Sequence, residues 1–449
     1  MIHPLASPTA APGQVAPGAQ SLETIAQLDI DDVDQIVGAL AWYGGHIYFA
    51  GVYIDRDVQD FRRIVRFDPQ TRGWQTVHTS LAINTKRRSG PANMLDTFFP
   101  DNPTEEQSKD KLTDALGVNL AGEQALETGR NVYCQLFEAQ GCLVASFSSP
   151  LKGEVAFSAE GGSWQTTFEL APTNGHTFHQ PVPFGDGVVA LATGLSQNAP
   201  PLLRGEAVDS ADWEEVPVPG FKEQGNELAC RAAVFADSLY IGTRNLERGF
   251  QLWRLGAIAA QPGDFEAVIT SGAYLFSDNQ QVAAMATFGG RLYFAGGKSP
   301  RSLRAHQVSD FEIFRVNPDG SWDLIVGRPR FSPVGLKVPF SAMGPGFDDG
   351  AAVLQCLVAH AGYLCAGFSG QGSFKLFITP DGERWTEKPL GDFPGELVAA
   401  LSTPEGLVLL FNPRPQGEPA AKKGEPLPSI ALEAWRFDFD ATDDVVPVI

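Results

Sequence analysis

Apolar residues along most of this chain fall in short runs bounded by Gly, Pro, Asn or Asp, the pattern of strands joined by tight turns. One run recurs. Leu292-Tyr293-Phe294-Ala295-Gly296-Gly297 follows the doublet Gly289-Gly290, and Ile47-Tyr48-Phe49-Ala50-Gly51 follows Gly44-Gly45. Related segments are Leu143-Val144-Ala145-Ser146, Val188-Val189-Ala190-Leu191, Leu239-Tyr240-Ile241-Gly242, Leu364-Cys365-Ala366-Gly367 and Leu407-Val408-Leu409-Leu410, which makes seven. Each belongs to a strand–turn–strand unit, and a third strand with a turn into a fourth follows. That second half is clearest in Ile64-Val65-Arg66-Phe67-Asp68-Pro69 before Trp74, and in Ile313-Phe314-Arg315-Val316-Asn317-Pro318-Asp319-Gly320 before Trp322. It appears again as Phe377-Ile378-Thr379-Pro380-Asp381-Gly382 before Trp385.

Tryptophan supplies an independent count. Of eight in the chain, seven fall one per unit: Trp74, Trp164, Trp213, Trp253, Trp322, Trp385 and Trp435, with Trp253 and Trp435 one strand earlier than the rest. A small sheet cannot bury both faces alone, so stacked sheets need a large residue wedged into each seam. The pattern predicts an all-β fold, a seven-bladed β-propeller of four-stranded antiparallel blades around a central channel. The blades fall near 36–80, 131–170, 177–219, 228–270, 281–327, 353–390 and 397–449. Two segments compete to complete the last blade, Val445 to Ile449 or the stretch around Thr24 to Leu28.

Residues 1–21, rich in Pro, Ala and Gly, read as a disordered tail, and 22–449 as a single propeller. Three stretches exceed a minimal blade. The insertion 81–130 contains Thr104 to Ala125, of helix-forming composition, with Leu112, Ala115 and Leu116 on one face. Residues 331–352 form a Gly/Pro-rich apolar loop, read either as a lid or as a plug over the channel mouth. Residues 412–428 form a Pro-rich, solvent-exposed excursion.

Composition narrows the partners. The formal net charge is −20, which opposes binding to nucleic-acid phosphates or an anionic membrane. No apolar run is long enough for a membrane-spanning helix. The five cysteines include no CxxC pair, and the N-terminus lacks the basic start and apolar stretch of a secretory signal. These features lead to an expected cytoplasmic location.

The Gly-Gly doublets and the run from Asp68 to Trp74 resemble kelch repeats. Ser158-Ala159-Glu160-Gly161-Gly162-Ser163-Trp164 and Thr379-Pro380-Asp381-Gly382-Glu383-Arg384-Trp385 resemble degenerate Asp-boxes of sialidase-type propellers. Leu239-Tyr240-Ile241-Gly242-Thr243-Arg244-Asn245, followed by Gly249 and Leu252-Trp253-Arg254, is similar to a unit of bacterial propellers, including the propeller half of aryl-alkylating, cyclophane-forming enzymes. All three resemblances concern how a blade is built. The last implies group transfer to an activated aromatic ring, although the glycine-aspartate calcium repeats of that family are absent.

The innermost strands are mostly small and apolar, so polar exceptions on them mark a site. Counting back nine residues from the Leu143-type position aligns Cys134, His179 and Cys230; the next residues are Gln135, Gln180 and Arg231, where other blades have Ala39, Ala284 and Ala399. A buried guanidinium requires an anion or several acceptors, which a ligand, a structural carboxylate or channel water could each supply. Neighbouring loops add Asn131, Arg244, Asp278 and Tyr274. The cysteines read as apolar fillers of the strand, Cys356 aligning with Cys134 and Cys230 once a deletion is allowed. His176 and His179 form only a weak metal pattern, and Asp29 to Asp34 lacks the glycine and terminal Glu of a calcium loop.

Two classes of function follow. In the preferred one, this is an enzyme without metal or cofactor, acting at the channel mouth on a small organic substrate with an anionic or phenolic group. Arg231 binds negative charge, Gln135, Gln180, Arg244 and Asn131 orient the substrate, and Asp278, Tyr274 or His179 handle protons. The alternative is a non-catalytic propeller binding protein or glycan. A sialidase-like glycosidase is a third reading, for which the paired acids cannot be assigned.

Overall fold

Hairpins come first in the construction. At Gly44-Gly45, Gln140-Gly141, Ala236-Asp237, Gly289-Gly290 and Ala361-Gly362 both central residues have positive φ, between 45° and 81°. That is the mirror-image turn whose twist matches the strands it joins, and it explains the recurring Gly doublet. The computed structural model describes residues 22–30, 35–54, 60–68, 70–82, 133–148, 153–170, 176–194, 202–207, 213–216, 221, 223, 225–256, 265–298, 310–333, 335–349, 352–370, 373–390, 396–412 and 430–437.

Among the described residues the blade strands group into seven antiparallel sets of four. Blade 1 runs from Gln35–Tyr43 through His46–Ile54 and Asp60–Asp68 to Gly73–Ala82. The first strands of blades 2 to 6 are Tyr133–Ala139, His176–Phe184, Leu228–Phe235, Gln281–Phe288 and Ala352–His360. Blade 7 uses Glu396–Thr403, Gly406–Asn412 and Ile430–Phe437, and takes its fourth strand from the other end of the chain, Leu22–Ile30. The register Leu22↔Phe437 to Ile30↔Ile430 thus settles the closure in favour of the N-terminal segment. Each first strand packs against the first strand of the next blade, and the series returns to blade 1. The ring is closed.

Seven apolar clusters fill the seven seams, and each contains one of the seven tryptophans. Trp385 of blade 6, for example, lies with Tyr293, Ala295 and Ile313 of blade 5. Trp74 of blade 1 packs against Val408, Leu410 and Leu432 of blade 7. Trp253 and Trp435 do sit in third strands, Leu252–Gly256 and Ile430–Phe437, yet each still enters the seam with the preceding blade. The indole is conserved in place, not in strand.

A second device links adjacent blades. Tyr48 and Tyr293 are fully buried, and their hydroxyls lie against the glycine of the following blade's third turn, Gly161 and Gly382. The two Asp-box-like motifs are therefore receptors for the tyrosine of the Ile-Tyr-Phe-Ala-Gly and Leu-Tyr-Phe-Ala-Gly runs. Charges also cross seams out of water. Arg62 of blade 1 and Glu154 of blade 2 pair at 2.8 Å with side chains almost wholly buried, and Ser80 and Thr166 donate to the same carboxylate. Arg315 of blade 5 reaches Asp323 at 2.8 Å and Glu383 of blade 6 at 2.6 Å.

The tail 1–21, residues 83–130 of the insertion, residues 413–428 of the Pro-rich excursion, Val445 to Ile449 and Asp31 to Asp34 lie outside the described residues. The stretch 331–352 is described over most of its length, and its second half packs onto blade 5 and into a seam. Phe340 and Ser341 donate backbone hydrogen bonds to Leu324 and Ile325, in the outermost strand of blade 5. Phe347 stacks on Phe377 inside the seam of blades 5 and 6, with ring centroids 4.5 Å apart. Phe340 and Ser341 thereby broaden blade 5 at its outer strand.

Candidate site in the channel

The wall of the channel is set by a bulge. In blades 3 to 7 the pairing of the first strand slips by one residue, between His179/Pro181, Ala229/Arg231, Val282/Ala284, Leu354/Cys356 and Leu397/Ala399. The first strands of blades 1 and 2 pair without a break. A bulge leaves one residue out of the ladder and turns its neighbours, so a side chain there can be aimed where regular pairing would not put it.

Gln135, Gln180 and Arg231 meet at a cavity of about 610 Å³ in the channel. Residues from blades 1, 2, 3, 4 and 7 line it, and its remaining surface is mainly apolar: Val37, Leu136, Phe137, Pro181, Pro183 and Val398 are part of it. Pro181 and Pro183 are two residues apart on one strand, so the nitrogens of both face away from blade 3's second strand. Proline supplies no N–H to a ladder, which is tolerated only on such an open edge.

Arg231 is half-buried. Its Nη1 donates to the carbonyl of Cys230 at 2.8 Å, and it has no carboxylate partner among the described residues. Gln135 makes no hydrogen bond to another described residue, leaving both ends of its amide open. Gln180 differs. Its Nε2 donates to the Ala232 carbonyl at 2.8 Å and its Oε1 accepts from the Ala232 N–H at 3.0 Å, so blade 3 grips the backbone of blade 4.

The thiols beside this cavity are poor nucleophiles. Burial pushes Cys230 up to about 11 although Arg244 and Arg231 pull the other way. Burial raises Cys134 further still, with its Sγ donating to the Ala50 carbonyl at 3.2 Å. The filler reading of these residues is consistent with this. Cys356, however, pairs with Gly367 as Arg231 pairs with Gly242, so it occupies the place of Arg231, and Gln355 that of Cys230. No deletion separates the two strands, because both bulge at the same position.

The remaining candidates lie elsewhere. Asp278 is exposed, 3.4 Å from Lys298, and lines a separate small pocket with Glu312 and Arg328. Tyr274 packs against the seam of blades 4 and 5. Neither joins Arg231, because the connection Ser271–Asp278 is held down by Ala273 in that seam and by the hydrogen bond from Arg330 to the Ala273 carbonyl. Arg244 is buried and paired with Glu227 at 3.3 Å. Asn131 lies outside the described residues, and His179 is placed by its backbone alone, opposite Leu191. No group of three His, Cys, Asp or Glu able to hold a metal occurs among the described residues.

No protein-family model matches this chain, and no curated protein matches it in sequence. Solved structures are similar in shape at low identity. Virginiamycin B lyase from Staphylococcus aureus, crystallised as an inactive form with quinupristin, is 9% identical, with 93% of this chain and 100% of that chain covered at a TM-score of 0.46. The β-propeller domain of the Trilobed protease from Pyrococcus furiosus is 9% identical over 92% and 99%, TM-score 0.40. The Cps50 (Swd1) β-propeller domain from Myceliophteria thermophila is 11% identical over 91% and 100%, TM-score 0.44. These values carry no argument about chemistry. None of these comparisons supports kelch repeats or the aryl-alkylating resemblance; the β-propeller rests on the chain's own sheets and seams.

Proposed function

We propose that the channel cavity binds one small organic anion with an apolar body. Arg231 holds the charge, Gln135 offers a further donor or acceptor, and Leu136, Phe137, Pro181 and Pro183 cover the rest. One observation carries the reading: a half-buried guanidinium faces an apolar cavity with no carboxylate partner among the described residues. Such a charge is costly without an anion, by several kcal/mol when fully desolvated. Carboxylates, phenolates and sulfonates share the required chemistry. The strongly acidic body keeps nucleic acid and anionic membranes out of this reading.

Binding is favoured over catalysis because the proton-handling groups first paired with this site, Asp278 and Tyr274, belong to another part of the ring. The test is a calorimetric titration with 2-naphthoate and with its neutral amide. The expected result is one site per chain, preference for the anion, and at least a tenfold weaker affinity in Arg231→Ala with unchanged unfolding temperature. Equal binding of anion and amide, or an unaffected Arg231→Ala, overturns it.

A further inference from the structure

We propose that Gln180 is a positioning residue, which fixes Arg231 in the cavity by gripping the next residue of its strand. This rests on the anion-site reading above. Gln180 has a φ of +47°, a left-handed conformation that non-glycine residues adopt only when the surroundings impose it. The strain occurs at the bulge, where the residue has left its own ladder. In exchange its carboxamide makes two hydrogen bonds to the backbone of Ala232, taking the place a paired strand residue would occupy.

The other flank of Arg231 is anchored as well. Cys230 is the bulged residue of blade 4, so its carbonyl is free of the ladder and receives the Arg231 guanidinium. The tripeptide Cys230-Arg231-Ala232 is thereby held by its own bulge on one side and by blade 3 on the other. A long side chain that would otherwise lose rotamer freedom on meeting a ligand is already oriented.

The ring contains its own control. Gln355 occupies the bulge of blade 6, and its Oε1 accepts from the Leu397 N–H of blade 7 at 3.3 Å. The residue of blade 7 equivalent to Arg231 is Ala399, opposite Leu410. A looser, single-bond grip of one blade on the next therefore exists far from the guanidinium, two residues before a methyl group. Both grips should add to stability, but only the one beside Arg231 should matter to ligand binding.

Gln180→Met and Gln355→Met keep side-chain length and remove the amide. Both are expected to lower the unfolding temperature, while only Gln180→Met weakens 2-naphthoate binding, by about tenfold. In an Arg231→Ala background Gln180→Met should cause no further loss, since its effect passes through the guanidinium. Equal weakening by the two variants, no weakening by Gln180→Met, or a full additional loss in the Arg231→Ala background each overturns the proposal. If Gln180→Met does not fold, Gln180→Glu retains the bond from the Ala232 N–H and is read the same way in the Arg231→Ala background, where added charge has no guanidinium to meet. An Arg231→Ala variant that binds 2-naphthoate normally rejects the anion-site reading itself.

Discussion

The hydroxyl of Tyr293 in blade 5 lies so close to Gly382 in blade 6 that a β-carbon on the glycine would sit 2.0 Å from it. Gly382 also has a φ of +79°, so two constraints exclude a side chain there. Gly382→Ala should cost about 2–4 kcal/mol of stability. Urea unfolding measures it, and Tyr293→Phe in the same chain should recover part of the loss. An unchanged midpoint would show that the seam adapts.

Asp381, in the same turn, gives a pH signature. Burial acts to raise its pKa, but the backbone N–H groups of Arg384 and Glu383, the Arg384 guanidinium and the Thr379 hydroxyl outweigh it and hold the carboxyl at about 2, below the usual 3.8. A depressed folded pKa contributes stability above the unfolded value and loses it as the carboxyl protonates. The contribution should be complete above about pH 4 and vanish as pH falls toward 2. Unfolding curves of wild type and Asp381→Asn should differ at neutral pH and converge in acid; parallel curves count against the assignment.

The buried pair Arg62–Glu154 should show strong coupling. Arg62→Met leaves a desolvated carboxylate behind and should cost about 3–5 kcal/mol, whereas Arg62→Met with Glu154→Leu should cost much less. Chemical denaturation of the two singles and the double completes the cycle. Additive losses would mean that Ser80 and Thr166 satisfy Glu154 without the arginine.

Closure of the ring is open to a direct test. A chain starting at residue 31 lacks the fourth strand of blade 7, exposing the edge of Ile430–Phe437. Its thermal transition should fall and broaden, and it should self-associate through that edge. Adding back a peptide of residues 22–30 should reverse both effects. A truncated chain that melts like the full one would refute the pairing.

Blade number and channel polarity were legible because each leaves a mark at fixed spacing: one indole per seam, one hairpin turn per blade, one polar residue among small ones. The bulges were not, since a slip of one residue leaves the local pattern of Ala and Val untouched. Pro181 and Pro183 held a readable signal, two prolines of one parity in a strand, that marks an edge facing open space. Asp278 and Tyr274 misled for a different reason. They lie near the start of an inner strand in sequence, but Ala273 in the seam carries their connection away from the cavity.

The pairing of Leu22–Ile30 with Ile430–Phe437 also shapes how the molecule is made. On a ribosome the outermost strand of blade 7 emerges before every other described strand, yet its partner is among the last described segments to be synthesised. Until then Leu22–Ile30 lacks its hydrogen-bonded partner, and the nascent ring remains an arc with two open sides. Contacts of such large sequence separation form late and slowly, so folding intermediates of this protein carry unpaired edges prone to association with other chains. The annealing step must wait for Ile430–Phe437, and the yield of folded ring should depend on keeping that early strand occupied or apart from others while synthesis proceeds.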